Sequence, residues 1–294
     1  MSENVRPRHS HGWWAAPSIM LLSGCSMYAG ASVGVLLFEY LSPAAVAWLR
    51  MAGSALVLAV LVRPRRTAWW GRTAAVSGMF GIVTGLMNLC FYVAIDRLPL
   101  GTAVAIEFLG PIAVVAYEAR TVRAAGALSA ALIGVVLIAE VQLTAQPLGV
   151  VFALLAAAFW AAYILLGKVV AVAAHPVESL AVGWVIAALV TAVPILPFAH
   201  WRAHTALDRI VLLTFALAIL SSVIPYRLDQ IVFRIVGRGS FALLLALLPA
   251  AAVLIGFVAL RQVPTTTEIV GIGFVVLAVA LNDRRERDRR RPDG

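Results

Sequence analysis

Charge is scarce in this sequence. Of its 294 residues only 13% are charged, about half the roughly 25% of an average soluble domain, and no stretch is polar enough to form a separate soluble domain. In place of charge stand apolar runs of about 20 residues, each long enough to cross a hydrocarbon core about 30 Å thick as a helix. The chain therefore reads as an integral membrane protein. Cysteine is equally sparse: Cys25 and Cys90 are the two present, both within apolar runs. Thiols in such places behave as small hydrophobes and give no disulfide framework or redox compartment.

Catalytic signatures are missing too. H-E-x-x-H, an acidic D-x-x-x-D pair and a complete phosphate loop are absent, and "LLGK" ending at Lys168 has neither the preceding glycine nor the following Ser/Thr. His200 and His204 have the i, i+4 spacing of zinc ligands, but they fall in the loop "HWRAH" without a third ligand. No enzyme activity, cofactor or metal is expected. The formal charge of +9 comes from arginines at the ends of the apolar runs and in the C-terminal "RRERDRRR". That pattern fits loops beside anionic lipid and does not make a nucleic-acid patch. "LSGC", Leu22 to Cys25, resembles a lipoprotein attachment box. The apolar run continues past it to Phe38, so a membrane span is expected there rather than a cleaved signal.

Hydropathy and helix breakers predict an all-α integral membrane protein with ten transmembrane helices. They run at about 15–38, 43–62, 72–95, 100–118, 124–140, 147–168, 177–198, 208–235, 239–260 and 264–282. With both termini in the cytoplasm, seventeen basic residues lie on that side, including Arg6, Arg8, Arg63, Arg65, Arg66, Arg72 and the tail. Four lie outside: Arg97, Arg202, Arg209 and Arg261. The positive-inside rule then fixes the orientation.

A weak internal repeat accompanies this count. "GTAVAIEFLGP" from Gly101 and "GSFALLLALLP" from Gly239 each place proline ten residues after glycine, and "GVVLIAE" from Gly134 matches "GFVVLAVA" from Gly273. The halves are 1–145 and 146–294, a first and a second five-helix repeat, the second ending in the basic tail. Five helices is an odd number, so the second half must lie inverted relative to the first. Such inverted repeats create a midplane site between two bundles that rock for alternating access.

Against this apolar background the polar groups at membrane depth stand out: Arg50, Asn88, Tyr92, Glu107, Trp160, Tyr163, Ser221, Ser222, Tyr226, Arg227 and Asp229. Ionisable groups there are costly unless paired or hydrated, and usually face a cavity. A structural ion pair of Arg50 with Glu107 is the plainer alternative, and packing or interfacial anchoring is the plainer role for the aromatic residues. Three prolines mark helix breaks, because proline removes the hydrogen bond to the carbonyl four residues earlier. Pro111 frees Glu107, Pro225 frees Ser221, and Pro249 frees Leu245. A free acceptor at that depth needs protein, water or ligand beside it.

"RMAG", "MNLCFYVAI", "PLGTAVAIEFLGPIAV", "AFWAAYILLGK" and "AILSSVIPYRLDQI" together resemble the threonine/homoserine exporters of the EamA-type drug/metabolite transporters, over the whole chain. The resemblance implies ten helices in two inverted repeats in the bacterial inner membrane. It also implies export of small amino acids or related metabolites, proton antiport driven by the proton gradient, and a substrate and coupling site at Glu107 and the polar groups around it. Efflux of larger amphipathic compounds or drugs by the same fold is the alternative, with Trp160, Tyr163 and Met87 as an adaptable lining. Membrane lipid is the expected surrounding, and a homodimer is left open. Two departures from the family pattern are Leu248, where a glutamate often precedes the proline, and the turn "LRQV".

Overall fold

The computed structural model describes residues 12–119, 122–171, 176–196, 207–225, 228, 231–232 and 247–288. Among them are helices and turns and no strand. The helices are α1 (Gly12–Leu37), α2 (Pro43–Val62), α3 (Gly71–Ile95), α4 (Leu100–Glu107), α5 (Leu109–Ala119), α6 (Val122–Ala145), α7 (Pro147–Ala171), α8 (Pro176–Ile195), α9 (Leu207–Ala218), α10 (Leu247–Leu260) and α11 (Thr266–Asp288). Four described helices hold spans long and apolar enough to cross a membrane: Ala16–Leu37, Pro43–Val62, Gly71–Ile95 and Pro147–Gly167.

Local chemistry explains the helix ends. Ser42 caps α2 by accepting from the Ala45 amide at 3.4 Å, with Pro43 at the first helical position, where its missing N–H is not needed. Arg63 closes the same helix in the left-handed region, φ 49°, and its amide donates to Ala59. α11 starts with a reciprocal capping box. The Thr265 hydroxyl accepts from the Glu268 amide at 3.3 Å, and the Glu268 carboxylate accepts from the Thr265 amide at 2.8 Å.

The fourth expected span is two helices, with a turn at Phe108 between α4 and α5. Within the eighth, the α-helix ends at Ala218 and continues as a π-turn over Ile219–Val223. Both irregularities lie ahead of a proline, Pro111 and Pro225. For the matching Pro249, buried in α10, the freed carbonyl of Leu245 lies outside the described residues, as do Tyr226, Arg227 and Asp229.

Packing joins distant parts of the chain. α1 packs on α9 and α10, α7 on α3 and on α4 with α5, α8 on α2 and α3, α2 on α9, α4 on α10, and α6 on α11. Small residues permit the closest crossings. A Cβ on Gly81 would meet the Gly183 carbonyl across α3 and α8, and one on Gly110 the Ala157 carbonyl across α5 and α7. The core includes Tyr92, Leu100, Ile106 and Phe108, all at most 1% exposed.

Loops collect at two ends of the bundle. At one, Arg209 donates to the Tyr40 hydroxyl at 3.0 Å and the Gln262 side chain accepts from the Leu100 amide at 2.9 Å. At the other, Arg65 pairs with Glu178 at 3.5 Å.

Candidate functional site

Pro225 has no N–H to donate. Its absent N–H would reach Ser221 in an α-helix, four residues back, or Leu220 in a π-turn, five residues back. Side chains from other helices fill both places. The Arg50 guanidinium of α2 donates to the Ser221 carbonyl at 3.2 Å, and the Ser26 hydroxyl of α1 donates to the Leu220 carbonyl at 2.9 Å. Ser54, one turn after Arg50, donates to the Ser222 hydroxyl at 2.9 Å. Ser221 turns its own hydroxyl to the Leu217 carbonyl at 2.6 Å. The break is thus braced from α1 and α2 by specific polar contacts.

Glycines of α1 make this approach possible. A Cβ on Gly30 would stand 2.7 Å from the Ser221 backbone nitrogen, and one on Gly34 would strike the Tyr92 ring. The "GASVG" spacing therefore seats both the π-turn and Tyr92 against α1. Tyr92 is fully buried, and its ring centroid lies 5.8 Å from the Arg50 guanidinium carbon. Phe38 and Phe91 pack edge-on against it at 6.2 and 5.9 Å.

Glu107 ends α4 at the break that Pro111 imposes, 8% exposed. Its carboxylate makes no hydrogen bond or ion pair among the described residues, where the ion pairs are Arg65 with Glu178 and Arg97 with Asp96. The direct Arg50–Glu107 pair considered from the sequence is therefore not formed. Arg50, Tyr28 and Cys90 are nonetheless the groups whose electrostatics Glu107 shares. A carboxylate at that depth without a fixed partner is tolerable only beside water or ligand.

The remaining expected residues form the flanks. Trp160 of α7 meets Phe108, next to Glu107, edge-on at 4.9 Å, and Tyr163 stacks obliquely on Phe80 at 4.9 Å. Asn88 of α3 is half-buried and donates to the Thr84 carbonyl at 2.8 Å. It lies one turn before Tyr92 on the same face. Asn88 makes no hydrogen bond with Arg50 or Glu107 among the described residues, and Trp160 stands beside Glu107 by way of Phe108. Leu248 is buried and sits against Gly24.

Two groups escaped the sequence reading. Tyr28 is 3% exposed and lies near Glu107 and Arg50, but an aromatic residue in an apolar helix carries no mark of such a place. Glu268, 2% exposed, accepts from the Thr102 hydroxyl at 2.8 Å and so ties the first turn of α4 to α11. Its signal was legible in the T-x-x-E spacing of Thr265 and Glu268.

Comparison with known proteins adds four findings. The EamA-like transporter family matches residues 147–282. The threonine/homoserine exporter RhtA of Escherichia coli is 31% identical over 274 residues, covering 90% of this chain and 90% of the relative. Its counterpart from Salmonella typhimurium gives the same identity and coverage. A solved crystal structure, 17% identical, superposes with a TM-score of 0.60 over 94% of this chain and 99% of the other, which speaks for the fold alone.

Proposed function

We propose, because the chain belongs to the EamA-like transporter family together with the threonine/homoserine exporters, that it exports small amino acids of the threonine/homoserine kind across the bacterial inner membrane by proton antiport. The observation that carries the coupling is the buried Glu107 carboxylate, held at a helix break without a hydrogen bond or ion pair to any described residue. It takes up a proton or the substrate's ammonium in alternation. The remaining N–H groups of Arg50 and the Ser222 hydroxyl, which accepts from Ser54, present donors for a carboxylate, so a zwitterion has complementary groups for both ends. Trp160 and Phe108 beside Glu107 are what would favour a larger amphipathic substrate instead.

The helix pairings support ten spans in two inverted repeats, 1–145 and 146–294. In that reading α4 and α5 form the fourth span, α9 with the π-turn the eighth, and α10 and α11 the ninth and tenth. Moving five spans along the chain turns the packing of α1 on α10 into that of α7 on α4 and α5. It turns α1 on α9 into α7 on α3, and α2 on α9 into α8 on α3, while α2 with α8, α4 with α10 and α6 with α11 map onto themselves. A pseudo-two-fold arrangement of this kind puts the site between two bundles able to rock.

The sorting of loops supports cytoplasmic termini. Arg97, Arg209 and Arg261 belong to the sparsely basic end, and Arg63, Arg65, Arg66 and Arg72 to the other. Alkaline phosphatase fused after Gly294 is expected to be inactive and a cytoplasmic reporter there active; the reverse pattern contradicts this orientation.

The π-turn should also matter for turnover. Pro225→Ala restores an N–H that competes with Arg50 and Ser26 for the two carbonyls. Export per folded molecule is expected to fall several-fold with expression little changed, whereas unchanged export would reduce the break to packing. The overall function is tested by profiling metabolites in the medium of cells with and without the protein: threonine and homoserine should rise with it. A rise confined to amphipathic compounds would favour the second reading.

A further inference from the structure

The short segment between α2 and α3 gathers basic and aromatic groups that the transport site does not use. Arg63, Arg65, Arg66 and Arg72 are all exposed, as is Trp70 at 77%. Arg65 is taken by Glu178 of α8. Arg63, Arg66 and Arg72 have no acidic partner within ion-pair distance among the described residues.

Directly below begins an open groove of about 580 Å³ between α3 and α8, lined by Ala74, Ala75, Gly78, Met79, Ile82, Val83 and Ile186. Helical periodicity connects it to the charge. Arg72, Ala75, Met79 and Ile82 follow one face of α3 at steps of three and four residues, so an arginine stands at the head of the stripe that lines the groove. On α8, Glu178 leads by two turns to Ile186, the opposite wall. Gly78 lines the groove without a side chain; a Cβ there would come within 3.2 Å of Ile186.

We propose that this segment and groove bind one anionic glycerophospholipid, with the phosphate held by Arg63, Arg66 and Arg72, the Trp70 ring at the interface, and an acyl chain laid along Ala75 and Met79. Charge complementarity selects this occupant, since three guanidinium groups without an acidic partner among the described residues lie on the segment that ends at Arg72, the head of the groove. A zwitterionic lipid gains less from that charge, and a second copy of the chain would bring the same unpaired arginines face to face. Indole rings favour the headgroup boundary, and basic residues near it bind anionic lipid about fivefold more tightly each.

The test is native mass spectrometry of the purified full chain offered equal amounts of phosphatidylglycerol and phosphatidylcholine with identical acyl chains. Wild type should retain phosphatidylglycerol preferentially. Arg66→Gln with Arg72→Gln, both exposed and remote from the core, should lower that retention by about fivefold for each arginine removed. Ala75→Phe, at an exposed position in the groove, should reduce retention of both lipids. Equal retention of the two lipids by wild type, or undiminished retention by the arginine double variant, overturns the proposal. So does a wild-type dimer that Ala75→Phe dissociates, which would assign the groove to a second copy.

Discussion

The Glu107→Gln protein should insert and fold at wild-type yield while its gradient-driven export falls to background. Glutamine keeps the volume and hydrogen-bonding capacity of the side chain but cannot exchange a proton for a cation. No ion pair is lost, because the carboxylate makes none with a described residue. Folding is therefore insulated from the change, and Glu107→Asp should keep partial export. The ion-pair alternative makes the opposite forecast: Glu107→Gln would destabilise the protein and an added Arg50→Gln would restore it. Folded yield and efflux at several pH values, measured on the same preparations, separate the two.

Arg50→Met should damage both stability and export. The Ser221 carbonyl would lose the donor that replaces the missing Pro225 amide, and an orphaned buried acceptor costs about 1–3 kcal/mol. Loss of the cation above the Tyr92 ring adds to the effect. Arg50→Lys should recover part of the stability and less of the export, since an ammonium can reach one carbonyl but lacks the guanidinium fork. Thermal unfolding of the purified variants is the measurement. A melting temperature unchanged in Arg50→Met would mean that the π-turn stands without this brace.

The contrast between these residues shows what a linear reading can reach. Pro111 and Pro225 announce their breaks in the sequence because the loss of an amide donor is a local, covalent fact, and Phe108 and the π-turn lie where that loss falls. Glu107 and Arg50 are conspicuous because charge at membrane depth is costly. The donors that satisfy the broken turn are a different matter: Ser26 and Arg50 reach it across more than 170 residues of chain, with α1 brought close to the turn at Gly30. Tyr28 was hidden for the same reason. The supposed Arg50–Glu107 pair failed because similar depth in two helices says nothing about which neighbour each side chain meets; Arg50 turns to a backbone carbonyl instead.

Threonine uptake into inside-out vesicles, acid inside, bears most directly on proton-coupled export through Glu107. Vesicles carrying the wild-type protein should accumulate threonine, lose that accumulation when a protonophore collapses the gradient, and show none with Glu107→Gln at equal protein content. Equal, gradient-dependent accumulation by a well-folded Glu107→Gln protein would contradict the role given to this carboxylate.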